Sequence, residues 1–404
     1  MNSEEHKYDM KILVISKCPT HPTTAGNRNF IKAQCELLLT LGHDVHFLYV
    51  QELPLTRKGS CISDMCKYWG NKLHIYDYKW AQKVLTCVVA RFRRYCCNGF
   101  YKRFDQYPFR LHSLVRKIQQ KEQFDCCIVQ YYYLAKLFKY VHFPLEGLVT
   151  HDYFAYKNLH VGNNDVRQIT AHEEAMALQC CPHLFALNTG EAEYFKRLAP
   201  CSEVYNVFSA YQYHPQPIKS NHDILFLSGP NVYNINGLRW FLGKIFPDIQ
   251  QAFPDVRLRI AGAICKELKD LEGKENIELV GLVDSPDVFY ASADVAINPT
   301  YQGTGLKIKT FEAISYDKVV LAHPHSKVGI FQQDSAPLFA SVEPKEWIDF
   351  LRTIWNNPDQ INKIKSNDGS YIRCMNDFVE SEYKRFFSYK KISEIQKKED
   401  LLYK

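Results

Sequence analysis

The stretch NPTYQGTGLKIKTFEA, residues 298–313, sets two lysines and a glutamate directly behind a glycine-rich turn. Gly303, Thr304 and Gly305 let the backbone come close to a ligand, and the spacing of Ile308, Phe311 and Ile314 predicts a helix starting near Leu306. Lys309 and Glu312 then share another face of that helix. A cation in a first turn opposes the helix dipole, so Lys309 is a poor choice for stability and a sensible one beside a bound anion. On spacing alone two readings stand: an anion site, or a surface Lys–Glu pair worth roughly a few tenths of a kcal/mol.

Two other places carry residue types suited to chemistry. His151 ends the apolar run GLVTH with Asp152 behind it, and reads either as a ligand-facing histidine or as a satisfied strand-end one. Glu173 and Glu174 form an adjacent acidic pair, but nothing requires the paired carboxylates of a hydrolase, and a solvated helix face is the simpler expectation. Of the 14 cysteines, the adjacent pairs at 96/97, 126/127 and 180/181 lack C-x-x-C spacing, so buried free thiols in a reducing cytosol are expected and a metal site is not. The start MNSEEHKYDM is not shaped like a secretory signal, and no apolar run approaches the ~18 residues of a membrane span.

The elements that must position these residues follow from the apolar patterning. Continuous apolar runs such as MKILVIS (10–16) read as buried parallel strands, each followed by a helical or loop segment. The series continues with HDVHFLYV, FDCCIVQY, GLVTH and HLFALN. It then pauses at the polar, proline-containing 205–222 and resumes with DILFLSGP, VRLRIAG, IELVG, DVAINP and KVVLAHP. Two α/β series in 404 residues predict two domains, each with a parallel sheet and each presenting strand C-termini to a cleft. A hydrophobic fraction of 46% and a net charge of only +6 fit a globular chain and give no reason to invoke nucleic acid.

From Asp223 to Ile330 the order of motifs is specific: FLSGPNVYNING, VRLRIAG, IELVGLVDSPDVFYASADVAINP, then GTGLKIKTFEAISYDKVVLAHP. Here the chain resembles family 4 of the GT-B glycosyltransferases, in the exopolysaccharide-type variant whose helix opens as K-x-x-E. Weaker matches lie in order upstream, at Gly26-Asn27-Arg28, THDYF and LNTGEAEYF.

The resemblance implies a GT-B fold of two Rossmann-like domains facing an interdomain cleft. Residues 1–205 would form the acceptor side, 206–375 the donor side, and 376–404 a helix crossing back. It implies a retaining transfer of sugar from a UDP- or GDP-sugar, with no further cofactor or metal, to a glycan or lipid-linked glycan acceptor. Lys309 would contact the diphosphate and stabilise it as it leaves, with Lys307 adding charge, and Glu312 would bind the ribose hydroxyls. Gly303, Thr304 and Gly305 would face donor sugar and phosphate, with Gly229 beneath the phosphates. Gly281, Leu282 and Val283 would cradle the base, Gly26 and Asn27 would close on the phosphate and acceptor side, and His151 would touch the donor sugar.

The sequence departs from the family in two ways. The family's first glutamate is replaced by Thr304, with Gln302 nearby, and the usual Arg and Lys after Gly229 are replaced by Asn231, Asn234 and Asn236. A related sugar-nucleotide epimerase and a noncatalytic nucleotide- or glycan-binding partner therefore stay open. Residues 79–117 hold ten Lys or Arg against the single acid Asp105, interleaved with aromatics, which suits an anionic membrane surface. That predicts a cytoplasmic protein, peripheral on the membrane, serving an acceptor carried on lipid.

Overall fold

The computed structural model describes residues 10–23, 26–51, 60–77, 81, 84–85, 88, 107–156, 169–283 and 285–402, with backbone alone for Ser60 and 390–402. Two compact units divide the chain: Met1–Ala210 with Val379–Lys404, and Tyr211–Phe378.

In the first unit, β1 (Lys11–Ser16), β2 (Asp44–Val50), β3 (Leu73–Tyr76), β4 (Cys126–Gln130), β5 (Leu145–Val149), β6 (His183–Ala186) and β7 (Glu203–Asn206) form a parallel sheet in the order β3-β2-β1-β4-β5-β6-β7. The chain winds outward from β1, then restarts at β4 on the other side of β1, so the direction of winding reverses between those strands. Helices α1 (Gly26–Thr40), α2 (Ser60–Trp69), α3 (Leu111–Glu122), α4 (Ala171–Leu178) and α5 (Thr189–Leu198) belong to this unit. Thr170 and Glu173 close a capping box on α4, and the Asn188 side chain accepts from Glu191 N at 2.9 Å to cap α5.

The second unit repeats the plan with β8 (Asp223–Leu227), β9 (Arg257–Ala261), β10 (Ile277–Gly281), β11 (Val295–Asn298), β12 (Val319–Ala322) and β13 (Leu338–Ala340), parallel and ordered β10-β9-β8-β11-β12-β13. Its reversal lies between β8 and β11. Its helices are α6 (Val232–Lys244), α7 (Phe246–Ala252), α8 (Pro286–Tyr290), α9 (Ile308–Ser315) and α10 (Pro344–Trp355). Gly262, just past β9, has φ 97°, and a Cβ there would lie 2.3 Å from the Ser228 carbonyl oxygen, so no other residue fits.

One helix, α11 (Pro358–Leu402), serves both units. Its first half buries Ile361, Ile372 and Met375 in the second unit, and further on Val379, Tyr383, Phe386 and Phe387 are buried in the first. Phe386 packs edge-on against Phe185 of β6 at 4.9 Å, and a Cβ on Gly147 of β5 would meet Phe185 at 2.8 Å and Phe386 at 3.3 Å. The expected helix over 376–404 thus starts much earlier, and the segment 205–222 that reads as a linker begins inside β7.

That segment is tied down by buried charge. Asp294 accepts from Lys219 N at 2.9 Å, Ser220 N at 2.9 Å and Lys365 Nζ at 3.1 Å, and Asp317 accepts from Tyr213 Oη at 2.6 Å and Gln216 N at 3.0 Å. The buried Lys318 ammonium donates to Ala293 O at 2.9 Å. Burial among these acids holds the Asp368 carboxyl up at about 9.

Cys35, Cys126, Cys127 and Cys181 are buried and joined in no disulfide among the described residues, and burial pushes Cys35, Cys127 and Cys181 above their usual pKa. Among the described residues no helix is long and apolar enough to cross a membrane. Most of the basic–aromatic stretch, including Arg93, Arg94, Lys102 and Arg103, lies outside the described residues; its end, Leu111–Lys117, forms the start of α3.

Candidate functional site

In the second unit the C-terminal strand edge gathers most of the expected residues. Ser228 and Gly229 follow β8, Gly281 ends β10 with Leu282 and Val283 behind it, and the glycine turn follows β11. Gly281, Gly303 and Gly305 have φ of 82°, 101° and 85°, a conformation that favours glycine at all three. Leu282 is 69% exposed, an apolar surface offered to solvent.

The turn is built to leave donors open. The Gly303 carbonyl accepts from His325 Nε2 at 2.7 Å, and the Lys307 ammonium lies 3.2 Å from that nitrogen. Lys307 therefore braces the turn together with His325, a residue the sequence reading missed although it follows β12 at the same edge. Among the described residues, the backbone N–H groups of residues 303–306 donate to no protein acceptor. Thr300 Oγ1, Thr304 Oγ1 and Asn298 Oδ1 are buried without a partner. Helix α9 then starts with no side-chain cap and no acid in its first turn, its buried Thr310 bonded to Asn298 Nδ2 at 2.9 Å.

Lys309 and Glu312 are both half-buried, which excludes the exposed pair of the simpler reading. Among the described residues Lys309 makes no hydrogen bond or close ion pair. Burial, helped by the neighbouring Lys307 and opposed by Glu312, brings its ammonium down to about 8. Burial also pushes the Glu312 carboxyl up to about 7, against the pull of Lys309 and of a hydrogen bond from Tyr290. Two of the three asparagines behind Gly229 have structural contacts: Asn231 caps α6 by accepting from Tyr233 N at 2.9 Å, and Asn234 donates to Gly229 O at 3.1 Å.

In the first unit the expected residues meet through one tyrosine. Gly26 opens α1, and Asn27 donates to the Tyr131 hydroxyl at 3.1 Å. Tyr131 stacks on His151 with ring centroids 3.9 Å apart, and Phe30 meets the same imidazole edge-on at 5.3 Å. Both Tyr131 and His151 leave their strands with positive φ, 69° and 64°. His151 Nε2 lies 2.7 Å from Gln130 Oε1, and burial holds the imidazole down at about 3.

Glu173 and Glu174 correct the sequence reading, because both are buried. Glu174 accepts from Phe154 N at 2.8 Å, Ala155 N at 3.2 Å and Tyr194 Oη at 3.2 Å, and burial lifts it to about 7. The pair fixes the loop that follows His151 and the start of α4. An adjacent acidic pair reads as solvated because sequence does not reveal that loop amides will need acceptors.

Residues 221–357 match the family model for glycosyl transferases group 1. A curated relative, an uncharacterized 44.6 kDa protein in the cps region of Klebsiella pneumoniae, is 24% identical over 331 residues, covering 75% of this chain and 80% of its own. The fold is similar to that of sucrose-phosphate synthase from Thermosynechococcus elongatus, with a TM-score of 0.67, 12% identity, and 94% and 98% of the two chains covered. It is also similar to the pneumococcal O-GlcNAc transferase GtfA in complex with UDP and GlcNAc, with a TM-score of 0.63, 9% identity, and 95% and 99% covered. Residues 221–357 carry the glycosyl transferases group 1 domain, and the chain is a glycosyltransferase with the GT-B fold.

Proposed function

We propose that the protein moves a sugar, with retention at the anomeric carbon, from a UDP- or GDP-sugar to a glycan or lipid-linked glycan acceptor in cell-surface polysaccharide synthesis. The observation that carries this reading is the run of open N–H groups at 303–306 leading into an uncapped helix with Lys309 in its first turn. Open amides, a helix N-terminus and an unneutralised ammonium together suit a diphosphate. As the sugar–phosphate bond breaks, negative charge grows on the leaving diphosphate, and Lys309 with these amides stabilises it. Glu312, when ionised, accepts two ribose hydroxyls, and Gly281, Leu282 and Val283 offer an apolar ledge to the base. Gly229 lies beneath the phosphates in this reading, and Gly26 and Asn27 belong to the acceptor side. The relative's place in a cps region supports the polysaccharide role, and the UDP and GlcNAc bound by GtfA support the substrate class.

The test is transfer from a panel of UDP- and GDP-sugars, with product anomer read by NMR. Removing one preorganised donor typically costs about 10²–10³ in rate, the loss expected for Lys309→Ala. Losing hydrogen bonds to a charged group costs about 1.5–3 kcal/mol, so Glu312→Ala should raise the donor KM roughly 10- to 100-fold. Turnover within tenfold of wild type in both variants would sink the assignment, and an isomerised nucleotide sugar without acceptor would make the protein an epimerase.

The cytoplasmic, membrane-peripheral location belongs to the same proposal and rests on the composition of residues 79–117. Sedimentation with anionic liposomes should fall with added salt and with charge reversal at Arg93, Arg94, Lys102 and Arg103. Binding that ignores salt, or no binding, removes that part.

A further inference from the structure

We propose that Gln130 is a positioning residue that holds His151 in its Nε2–H form, leaving Nδ1 as a hydrogen-bond acceptor for a hydroxyl of the substrate sugar. This rests on the reading of His151 as a sugar-contacting residue.

Four side chains far apart in sequence form one hydrogen-bonded line within the first unit. His151 Nε2 to Gln130 Oε1, Gln130 Nε2 to Gln34 Oε1, and Gln34 Nε2 to Tyr383 Oη each measure 2.7 Å. Gln130 is fully buried as the last residue of β4, at the reversal of the sheet, and Gln34 of α1 and Tyr383 of α11 are buried too. A buried amide must satisfy both its ends, and here each amide gives its oxygen to one neighbour and its N–H to the next. An amide oxygen only accepts, so the imidazole proton sits on Nε2 and the lone pair on Nδ1.

Nothing in the line carries charge, so nothing in it draws a second proton onto the ring. Among the described residues Nδ1 has no partner, and it is not one of the buried unsatisfied atoms. The stack on Tyr131 and the edge contact with Phe30 fix the ring plane, and Gln130 fixes which nitrogen faces out. A neutral imidazole presenting a lone pair recognises a hydroxyl, which can donate, over a carbonyl or phosphate oxygen, which cannot.

The test uses the full chain with selectively labelled histidine. In wild type, two-bond ¹H–¹⁵N spectra should show His151 as the Nε2–H tautomer. Gln130→Leu should yield a mixture of tautomers and lower kcat for transfer roughly tenfold or more, in line with the cost of losing a histidine's orienting partner. Gln130→Glu, which keeps an acceptor at the same place, should restore the proton on Nε2. If Gln130→Leu fails to fold, Gln34→Leu interrupts the same line one link away, and should leave Gln130 free to turn and the tautomer mixed. The proposal is overturned if wild type carries the proton on Nδ1, or if neither leucine variant changes tautomer or kcat. His151→Ala is run in parallel: full activity there removes the sugar-contact reading itself, whatever the spectra show.

Discussion

Lys309 and Glu312 depart from their usual charge states in opposite directions for the same reason, that each is being taken out of water. With Glu312 up at about 7 and Lys309 down at about 8, the free enzyme carries both charges only in a narrow window between them. Below it the carboxyl is protonated and loses its capacity to accept from two donors at once; above it the ammonium loses its proton. The kcat/KM profile for the nucleotide sugar should therefore be a narrow bell, and Glu312→Gln should flatten its acid side. A bound diphosphate favours the ammonium, so the alkaline limb of kcat should lie higher than that of kcat/KM. Identical limbs in the two profiles would count against a diphosphate beside Lys309. His151, held neutral far below this range, should add no limb of its own. These two charged residues were legible in sequence because a lysine in a helix's first turn contradicts helix electrostatics and so calls for a cause. Gln34, Gln130 and Tyr383 were not, because no local pattern distinguishes a glutamine that will be buried from one that will be wet.

Central strands were readable for a comparable reason: covered on both faces, they carry an unbroken apolar run, as in the ILVI of β1. The edge strands β3, β7 and β13 escaped because each is three or four residues long and only partly buried, too short for a period to declare itself. The segment before β8 looked like a loose linker since its polar residues gave no hint that Asp294, Asp317 and Lys365 would receive it. That cluster has a measurable consequence. Asp294→Ala removes the acceptor for Lys365 and for two backbone N–H groups, leaving a buried ammonium without its closest acid. Breaking a buried pair in this way costs about 3–5 kcal/mol, expected as a lower urea midpoint for the second unit. An unchanged midpoint would mean that water replaces the carboxylate.

Across the molecule the two units share one plan, a parallel sheet whose winding reverses at a central strand, and candidate residues cluster where the strands end beside each reversal. The first unit is also finished by a piece of chain remote from the rest of it. Replacing Phe386 with Ala should cost about 3–5 kcal/mol, the usual cost of emptying a buried aromatic site. Hydrogen exchange should report that loss at β5 and β6, where Gly147 and Phe185 lie against the ring; protection unchanged in those strands would exclude this packing role. The order of synthesis gives the same feature a temporal meaning. Ala210 leaves the ribosome long before Val379 is made, and at about 5–20 residues per second the intervening unit takes roughly 8–34 s to translate. During that interval the nascent sheet holds Phe185 and Tyr205 without their covering aromatics, an apolar strip open to chaperones and to other nascent chains. For this protein, then, translation speed between those two points sets how long the cell must keep an unfinished domain from aggregating.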